Sequence, residues 1–444
     1  MFDLIVLGGG PAGYTGAIRA AKLGMSVALI EGGEVGGTCL NRGCIPTKCL
    51  LHSSALFASR AGWAECGVRA ESVTFDEGAA YSRKDGVVAS LRGGVEKLLA
   101  ALGVKVIKAR GVIADAHTVL ADGERIEGKN LLIATGSRPA VLPVKGAEGA
   151  LTSDGVLSEP LPAGDVVIVG GGVIGMELAC YFADCGRGVT VLEYAERVLP
   201  FFGKELSVQL ASALKRRGVK IVTSARVTET GKDFAVYECG GAEQRAEGGA
   251  VVAATGRRAN VEGIGLPAIG LPETPIFTDE NMMTLVPGIY AAGDVTGGIQ
   301  LAHYASACAL KAVAHMVGKP SDIDLATVPS LVYTSPEVVS VGRTDEAAKT
   351  GKFLLGANGR NLANGSNRWF IKIYCDDKGV IVGAEAFGDG VTELSGELSL
   401  AVSKGMTAEE VAAVIHAHPT LSESVAEACE DVFGLATHKR RGGL

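Results

Sequence analysis

Three cysteines stand at five-residue intervals in Gly36-Gly37-Thr38-Cys39-Leu40-Asn41-Arg42-Gly43-Cys44-Ile45-Pro46-Thr47-Lys48-Cys49. A pair of neighbouring thiols can exchange with an external dithiol or disulfide and so move two electrons. Spacing alone does not select the pair, because Cys180 and Cys185 also stand five apart. In a regular helix such positions lie roughly 9 Å apart between Cα atoms, beyond the about 7 Å a disulfide tolerates. Bridging therefore needs a broken helix. Gly43 and Pro46 supply distortion around Cys39 and Cys44, whereas 180–185 falls in an unbroken helical pattern and Cys49 lies past the proline. Cys39–Cys44 is the expected redox pair, and the other eight cysteines read as structural thiols. A turn entering a helix lowers a thiol's pKa, and Lys48, one turn after Cys44, brings a cation to the same side.

A second chemical cluster is His416-Ala417-His418-Pro419-Thr420-Leu421-Ser422-Glu423. A histidine beside a carboxylate suits acid–base work on a thiol, since imidazole and thiol titrate near neutral pH and the carboxylate orients the ring. His-x-His also suits a metal, but no companion cluster of ligands accompanies it, so none is expected. Thr420 and Glu423 fit the S/T-x-x-E capping pattern, which is compatible with the acid–base role.

The elements that position these groups come from an internal repeat. Leu4-Ile5-Val6-Leu7 runs into Gly8-Gly9-Gly10-Pro11-Ala12-Gly13, a helical pattern to Leu23, then Val27-Ala28-Leu29-Ile30-Glu31. The same order recurs as Val166–Val169, Gly170-Gly171-Gly172-Val173-Ile174-Gly175, a helix to about Cys185, and Val189-Thr190-Val191-Leu192-Glu193. In G-x-G-x-x-G the first glycine allows the tight turn, the second lets backbone approach a pyrophosphate, and the third packs helix on strand. The helix N-terminus then receives phosphate, and a carboxylate about 20 residues on accepts from an adenosine ribose. One such motif is weak evidence; two in the same strand–turn–helix–strand–acid context are not. Both copies close alike, at Ala134-Thr135-Gly136 and Ala254-Thr255-Gly256, with the first carrying 42 extra residues. Beyond 325 the pattern becomes α+β, with strands near 370–374 and 379–383 and helices near 392–404 and 407–414.

The expected class is α/β: two Rossmann-like dinucleotide-binding domains and a C-terminal α+β domain. The expected boundaries are 1–150 with the cysteine pair, 151–275, a return to the first domain over 276–325, and 326–444 as an interface domain. Of 444 residues 47% are apolar and 20% charged, so the chain has the composition of a packed globular protein. A net charge of −7 and 5% aromatic content give no basis for nucleic-acid binding. Lys439-Arg440-Arg441 clusters positive charge and reads as a solvated end. No apolar run reaches membrane-spanning length and no leader segment precedes Leu4, so a cytoplasmic location and no membrane partner are expected.

The two glycine motifs, the Cys39–Lys48 segment and His418-Pro419-Thr420-Leu421-Ser422-Glu423 together resemble the pyridine-nucleotide disulfide oxidoreductases, over essentially the whole chain. The resemblance implies FAD held by Gly8, Gly10, Gly13, Glu31, Thr38, Lys48, Gly111, Thr135, Gly136, Ser137, Asp294 and Ala302. It implies a nicotinamide nucleotide held by Gly170, Gly172, Gly175, Glu193, Val227 and Gly256, with Glu177 as the partner of Lys48 beside the flavin. Glu193 favours NAD, because a carboxylate accepts from a 2′-hydroxyl and repels a 2′-phosphate; Arg197, close by, would soften that preference. The implied activity is oxidation of protein-bound dihydrolipoamide through Cys39, Cys44 and FAD to NAD⁺. His418, oriented by Glu423, would be the base and act across a homodimer on a lipoyl carrier supplied by a separate chain, of a 2-oxo-acid dehydrogenase complex or a glycine-cleavage system. Alternatives are an NADPH-dependent glutathione-type reductase and a slow redox-regulatory flavoprotein. Arg42 and Thr47 depart from the family's usual residues, as does the ending Thr437-His438-Lys439-Arg440-Arg441.

Overall fold

The computed structural model describes residues 1–345 and 347–440. Each half of the repeat builds a parallel sheet from its apolar runs. In the first, Lys105–Lys108, Val27–Glu31, Phe2–Leu7 and Glu124–Ile133 lie in that order, and Ile289–Ala291 returns from far along the chain to pair with Glu124–Ile133. In the second, the order is Lys220–Val222, Val189–Leu192, Val166–Val169, Ala250–Ala253, with Leu151–Thr152 outermost. The central strands are buried on both faces, so they read as continuous Val, Ile and Leu rather than alternating. Each sheet carries a three-stranded antiparallel ribbon before its last central strand, ending in Glu124–Ile133 in one half and formed by Arg226–Thr230, Phe234–Cys239 and Ala242–Glu247 in the other.

The extra residues of the first half fold as helices Gly37–Arg42, Cys44–Ala58 and Glu77–Ala101. Cys44–Ala58 packs on both Glu77–Ala101 and Val173–Asp184, so the cysteine helix lies between the two halves. A two-stranded antiparallel link, Ser137–Pro139 with Arg257–Ala259, joins the halves immediately after their closing Thr-Gly pairs. The remaining sheet is antiparallel, in the order Ser330–Val332, Glu337–Gly342, Ile381–Gly388, Phe370–Cys375, Lys349–Leu354. Helices Ser395–Ser403, Ala408–Ala412 and Glu423–Asp431 cover its core, and the strand expected at 379–383 begins at Ile381 and runs to Gly388.

Lys439 at the basic end is paired with Asp431 at 2.6 Å rather than freely solvated, and Arg441 lies outside the described residues. No described helix is long and apolar enough to cross a membrane.

Candidate active site

One cavity of about 1080 Å³ runs from the cysteine pair to both glycine loops. Its lining includes Gly8, Gly10, Glu31, Thr38, Cys39, Cys44 and Lys48 on one side and Gly170, Gly172, Glu193, Val227 and Gly256 on the other. Thr135, Gly136, Ser137, Glu177, Asp294 and Ala302 also line it. Gly111 lines a smaller adjoining cavity of about 460 Å³ together with Gly8, Glu31 and Thr135. Gly13 and Gly175 line neither; a Cβ on Gly13 would stand 1.8 Å from the Gly8 carbonyl oxygen, and one on Gly175 1.9 Å from that of Gly170. These glycines let the helix close on the loop rather than touch a ligand.

The helix break at the redox pair sits at Gly43. Cys39 lies within Gly37–Arg42, and Cys44 is the first residue of Cys44–Ala58, with Gly43 between them in a non-helical conformation. A side chain there would press on the Thr38 carbonyl at 2.9 Å. Pro46 does not break the helix; it occupies the first turn, where its missing N–H costs nothing. Cys180 lies inside Val173–Asp184 and Cys185 caps it, so that pair is held on a continuous helix.

Cys39 and Cys44 are free thiols, and each is the largest influence on the other's titration. Interaction with Cys44 pushes the Cys39 thiol well up, with burial adding to it. The same interaction draws Cys44 down to about 7, opposed by burial and aided by the Lys48 cation. Cys180 and Cys185, by contrast, are pushed up to about 11 and about 12, chiefly by burial. Only Cys44 of these four is poised to be a thiolate near neutral pH.

Lys48 Nζ donates to both oxygens of Glu177, at 2.9 and 2.8 Å, and lies over the Tyr333 ring. Glu177 is 3% exposed and also accepts the Tyr333 N–H at 3.0 Å. Ser137 Oγ donates to Asp294 at 2.5 Å and accepts from Arg257 Nε at 2.8 Å. Thr135 and Asn260 exchange two hydrogen bonds across the link between the halves.

Both strand-end carboxylates turn back onto their glycine loops. Glu31 accepts the Gly9 N–H at 2.6 Å and the Gly33 N–H at 2.7 Å; Glu193 accepts those of Gly171 at 2.5 Å and Ala195 at 2.6 Å. Arg197 turns away, donating to the Pro200 and Phe202 carbonyls, and is not part of the cavity wall.

Far from the cavity, His418 Nδ1 and Glu423 Oε1 are 2.8 Å apart, and Glu423 Oε2 accepts the Thr420 N–H. The Thr420 N–H first, and then the imidazole, hold the Glu423 carboxyl below its usual range. Only half of a capping box forms: the helix begins at Glu423 with Ser422 as its cap, and Thr420 Oγ1 donates instead to Ala417 O. His416 turns to Glu397, so the two histidines do not converge, and no described group of three or more His, Cys, Asp or Glu is arranged to hold a metal. Within one chain neither His418 nor Glu423 lines the cavity.

The pyridine nucleotide-disulphide oxidoreductase family model matches residues 2–309, and that family's dimerisation-domain model matches residues 328–429. The chain belongs to the pyridine nucleotide-disulphide oxidoreductase family. It is 39% identical over 456 residues to a dihydrolipoyl dehydrogenase of Geobacillus stearothermophilus, covering 98% of this chain and 97% of that one. A dihydrolipoyl dehydrogenase of Bacillus subtilis is 38% identical over 457 residues, with the same coverage. Among solved structures, LpdA of Mycobacterium tuberculosis aligns with TM-score 0.88 and 29% identity, covering 96% of this chain and 98% of its own. The Cu(II) complex of the HOCl-induced flavoprotein disulfide reductase RclA of Escherichia coli gives 0.85 and 27%, over 97% and 99%.

Family membership gives the cavity a dinucleotide at each end, and the residues fit. A Cβ on Gly8 or Gly170 would strike the carbonyl of Ala134 or Ala254 at 2.4 Å, so each loop is pressed against its sheet with room kept for a ligand in front. Arg257, Asn260 and Tyr333 also line the cavity but carry no sequence signal, because each is an ordinary residue outside any spaced motif.

Proposed function

We propose that the protein oxidises protein-bound dihydrolipoamide and passes the electrons to NAD⁺. The observation that carries this reading is the Cys39–Cys44 thiol pair, set across a helix break in the cavity that both glycine loops share. Gly8, Gly10, Glu31, Thr38, Lys48, Thr135, Gly136, Ser137, Asp294 and Ala302 would hold FAD, with Gly111 at its far end and Gly13 shaping the loop. Gly170, Gly172, Glu193, Val227 and Gly256 would hold NAD, with Gly175 shaping the second loop. A bound flavin supplies two-electron chemistry between a thiolate and a nicotinamide.

The chain's residues handle the thiol half. With Cys39 and Cys44 oxidised, a substrate thiolate attacks Cys39 Sγ, the Cys39–Cys44 bond breaks, and Cys44 leaves with the electron pair. The second substrate thiol then attacks the mixed disulfide, forms the substrate disulfide and releases Cys39. Stability of Cys44 as a thiolate makes it the better leaving group, in line with its lowered pKa. His418, aligned by Glu423, takes the substrate proton. Since His418 does not face the cavity of its own chain, it serves the cavity of a second copy, and the working form is a homodimer. The lipoyl-bearing partner, the cytoplasmic location and the division of the chain at 150, 275 and 325 belong to the same proposal.

The deciding experiment compares dihydrolipoamide-driven NAD⁺ reduction with NADPH-driven reduction of glutathione disulfide. We expect the first to dominate; dominance of the second would overturn the reading.

A further inference from the structure

The loop between Glu193 and the helix Lys204–Arg216 contains a side chain that local packing does not explain. Phe201 is 100% exposed, yet it lines the same cavity as Glu193, Tyr194, Pro200 and Val227. Its neighbours are fixed. Leu199 is buried and sits in the left-handed region at φ 47°, and its N–H donates to the carbonyl of Gly171, the middle residue of the second glycine loop, at 2.9 Å. Phe202 is buried in the core and its N–H donates to Leu199 O at 3.0 Å. The Arg197 guanidinium ties the Pro200 and Phe202 carbonyls together.

A leucine held at positive φ is strained, and a bare phenyl ring leaves apolar surface in water. A strained, braced loop that presents an aromatic ring to a cavity points to an occupant of that cavity. The loop is tethered to the glycine loop at one end and starts from the ribose-reading carboxylate Glu193 at the other, which places the ring at the adenosine half. Tyr194, also largely exposed, lines the same stretch.

We propose that Phe201, with Tyr194, forms an aromatic wall over the adenosine half of the nicotinamide dinucleotide and contributes to its binding affinity. The ring offers adenine a stacking face. This rests on the reading of the second half as the nicotinamide-nucleotide site.

The test is calorimetric titration of the flavin-loaded protein with ADP-ribose and with 2′-phospho-ADP-ribose, which lack the nicotinamide and report no turnover. Phe201→Ala is expected to raise the Kd for ADP-ribose about tenfold, within the range of base–aromatic stacking. Affinity for the 2′-phosphorylated ligand, which carries the same adenine, should fall by a similar factor, and Phe201→Tyr, which keeps the stacking face, should restore both. Phe201→Leu, which keeps an apolar side chain of similar bulk, should fall between and guards against misfolding of the alanine variant. ADP-ribose affinity within about twofold of wild type in both Ala and Leu variants would overturn the proposal. Failure of the wild-type protein to bind ADP-ribose, with Glu193→Ala without effect, would instead overturn the nucleotide reading and this inference with it.

Discussion

The two glycine cradles are near copies, yet their surroundings differ. In both, the first glycine has positive φ, 103° at Gly8 and 110° at Gly170, and abuts a carbonyl from the closing Ala-Thr-Gly. In both, a strand-end glutamate clamps the loop, and a later residue donates to the middle carbonyl: Gly36 N–H to Gly9 at 2.8 Å, Leu199 N–H to Gly171 at 2.9 Å. Past that bond the two chains diverge. In the first half Gly37 continues inward, and a Cβ on it would lie 2.6 Å from Gly10 Cα; the returning segment with Gly293, Asp294 and Ala302 covers the same cavity. In the second half no described atom lies within 4 Å of a Cβ placed on Gly172. The same loop device is thus wrapped by further chain in the first half and left open in the second.

The largest expected effect separates the halves outright. Gly13→Ala and Gly175→Ala introduce nearly the same clash, each costing about 3 kcal/mol of local overpacking. Purified Gly13→Ala should be colourless, while Gly175→Ala should stay yellow, accept electrons from dihydrolipoamide and fail to reduce NAD⁺. Absorbance at the flavin band decides it, and loss of colour in both would mean that the halves are not independent.

Glu177→Gln probes the place where the halves meet. It removes the partner of Lys48 from a nearly buried pair, a loss of about 3 kcal/mol in stability. Thermal unfolding should fall and the flavin spectrum should shift, although Glu177 belongs to the second half; a variant with wild-type spectrum and Tm would detach that residue from the flavin side. Next in size, Glu193→Ala should weaken NADH about tenfold through lost charge-assisted hydrogen bonding, and NADPH less. Equal losses for both nucleotides in a fluorescence titration would remove Glu193 as the source of selectivity.

The smallest effect concerns what the enclosed side does to its thiol. In the reduced protein, ultraviolet thiolate absorbance should appear with a midpoint of about pH 7, Cys44 being neutral below and charged above. Because the Cys39 thiol is the leading cause of that lowering, Cys39→Ala should move the midpoint upward. An unmoved midpoint would assign the lowering to Lys48 instead.

Legibility in the sequence tracks locality. The glycine loops, their acids and the Cys39–Cys44 choice are readable because each depends on spacing within about two dozen residues and on one conformational demand, as at Gly43. Pro46 reads as a source of distortion and is not one, because a proline's effect depends on where the helix starts, which Gly43 decides. Thr420 reads as a cap and is not one for the same reason, since the helix starts three residues later. Arg257, Asn260 and Tyr333 are silent because they reach the site through long-range folding, 120 residues separating Arg257 from Ser137. Phe201 is silent because nothing in its composition distinguishes an exposed phenylalanine from a core one.

Glu177 binds Lys48 from the cysteine helix and the Tyr333 backbone from the third sheet while itself riding on the helix after the second glycine loop. One carboxylate thus belongs to three parts of the molecule. For an engineer this sets the seam of the protein: a transplanted nicotinamide unit that brings its own helix in place of Val173–Asp184 must also bring a glutamate at this point. Without it, the graft would leave Lys48 without its carboxylate partner.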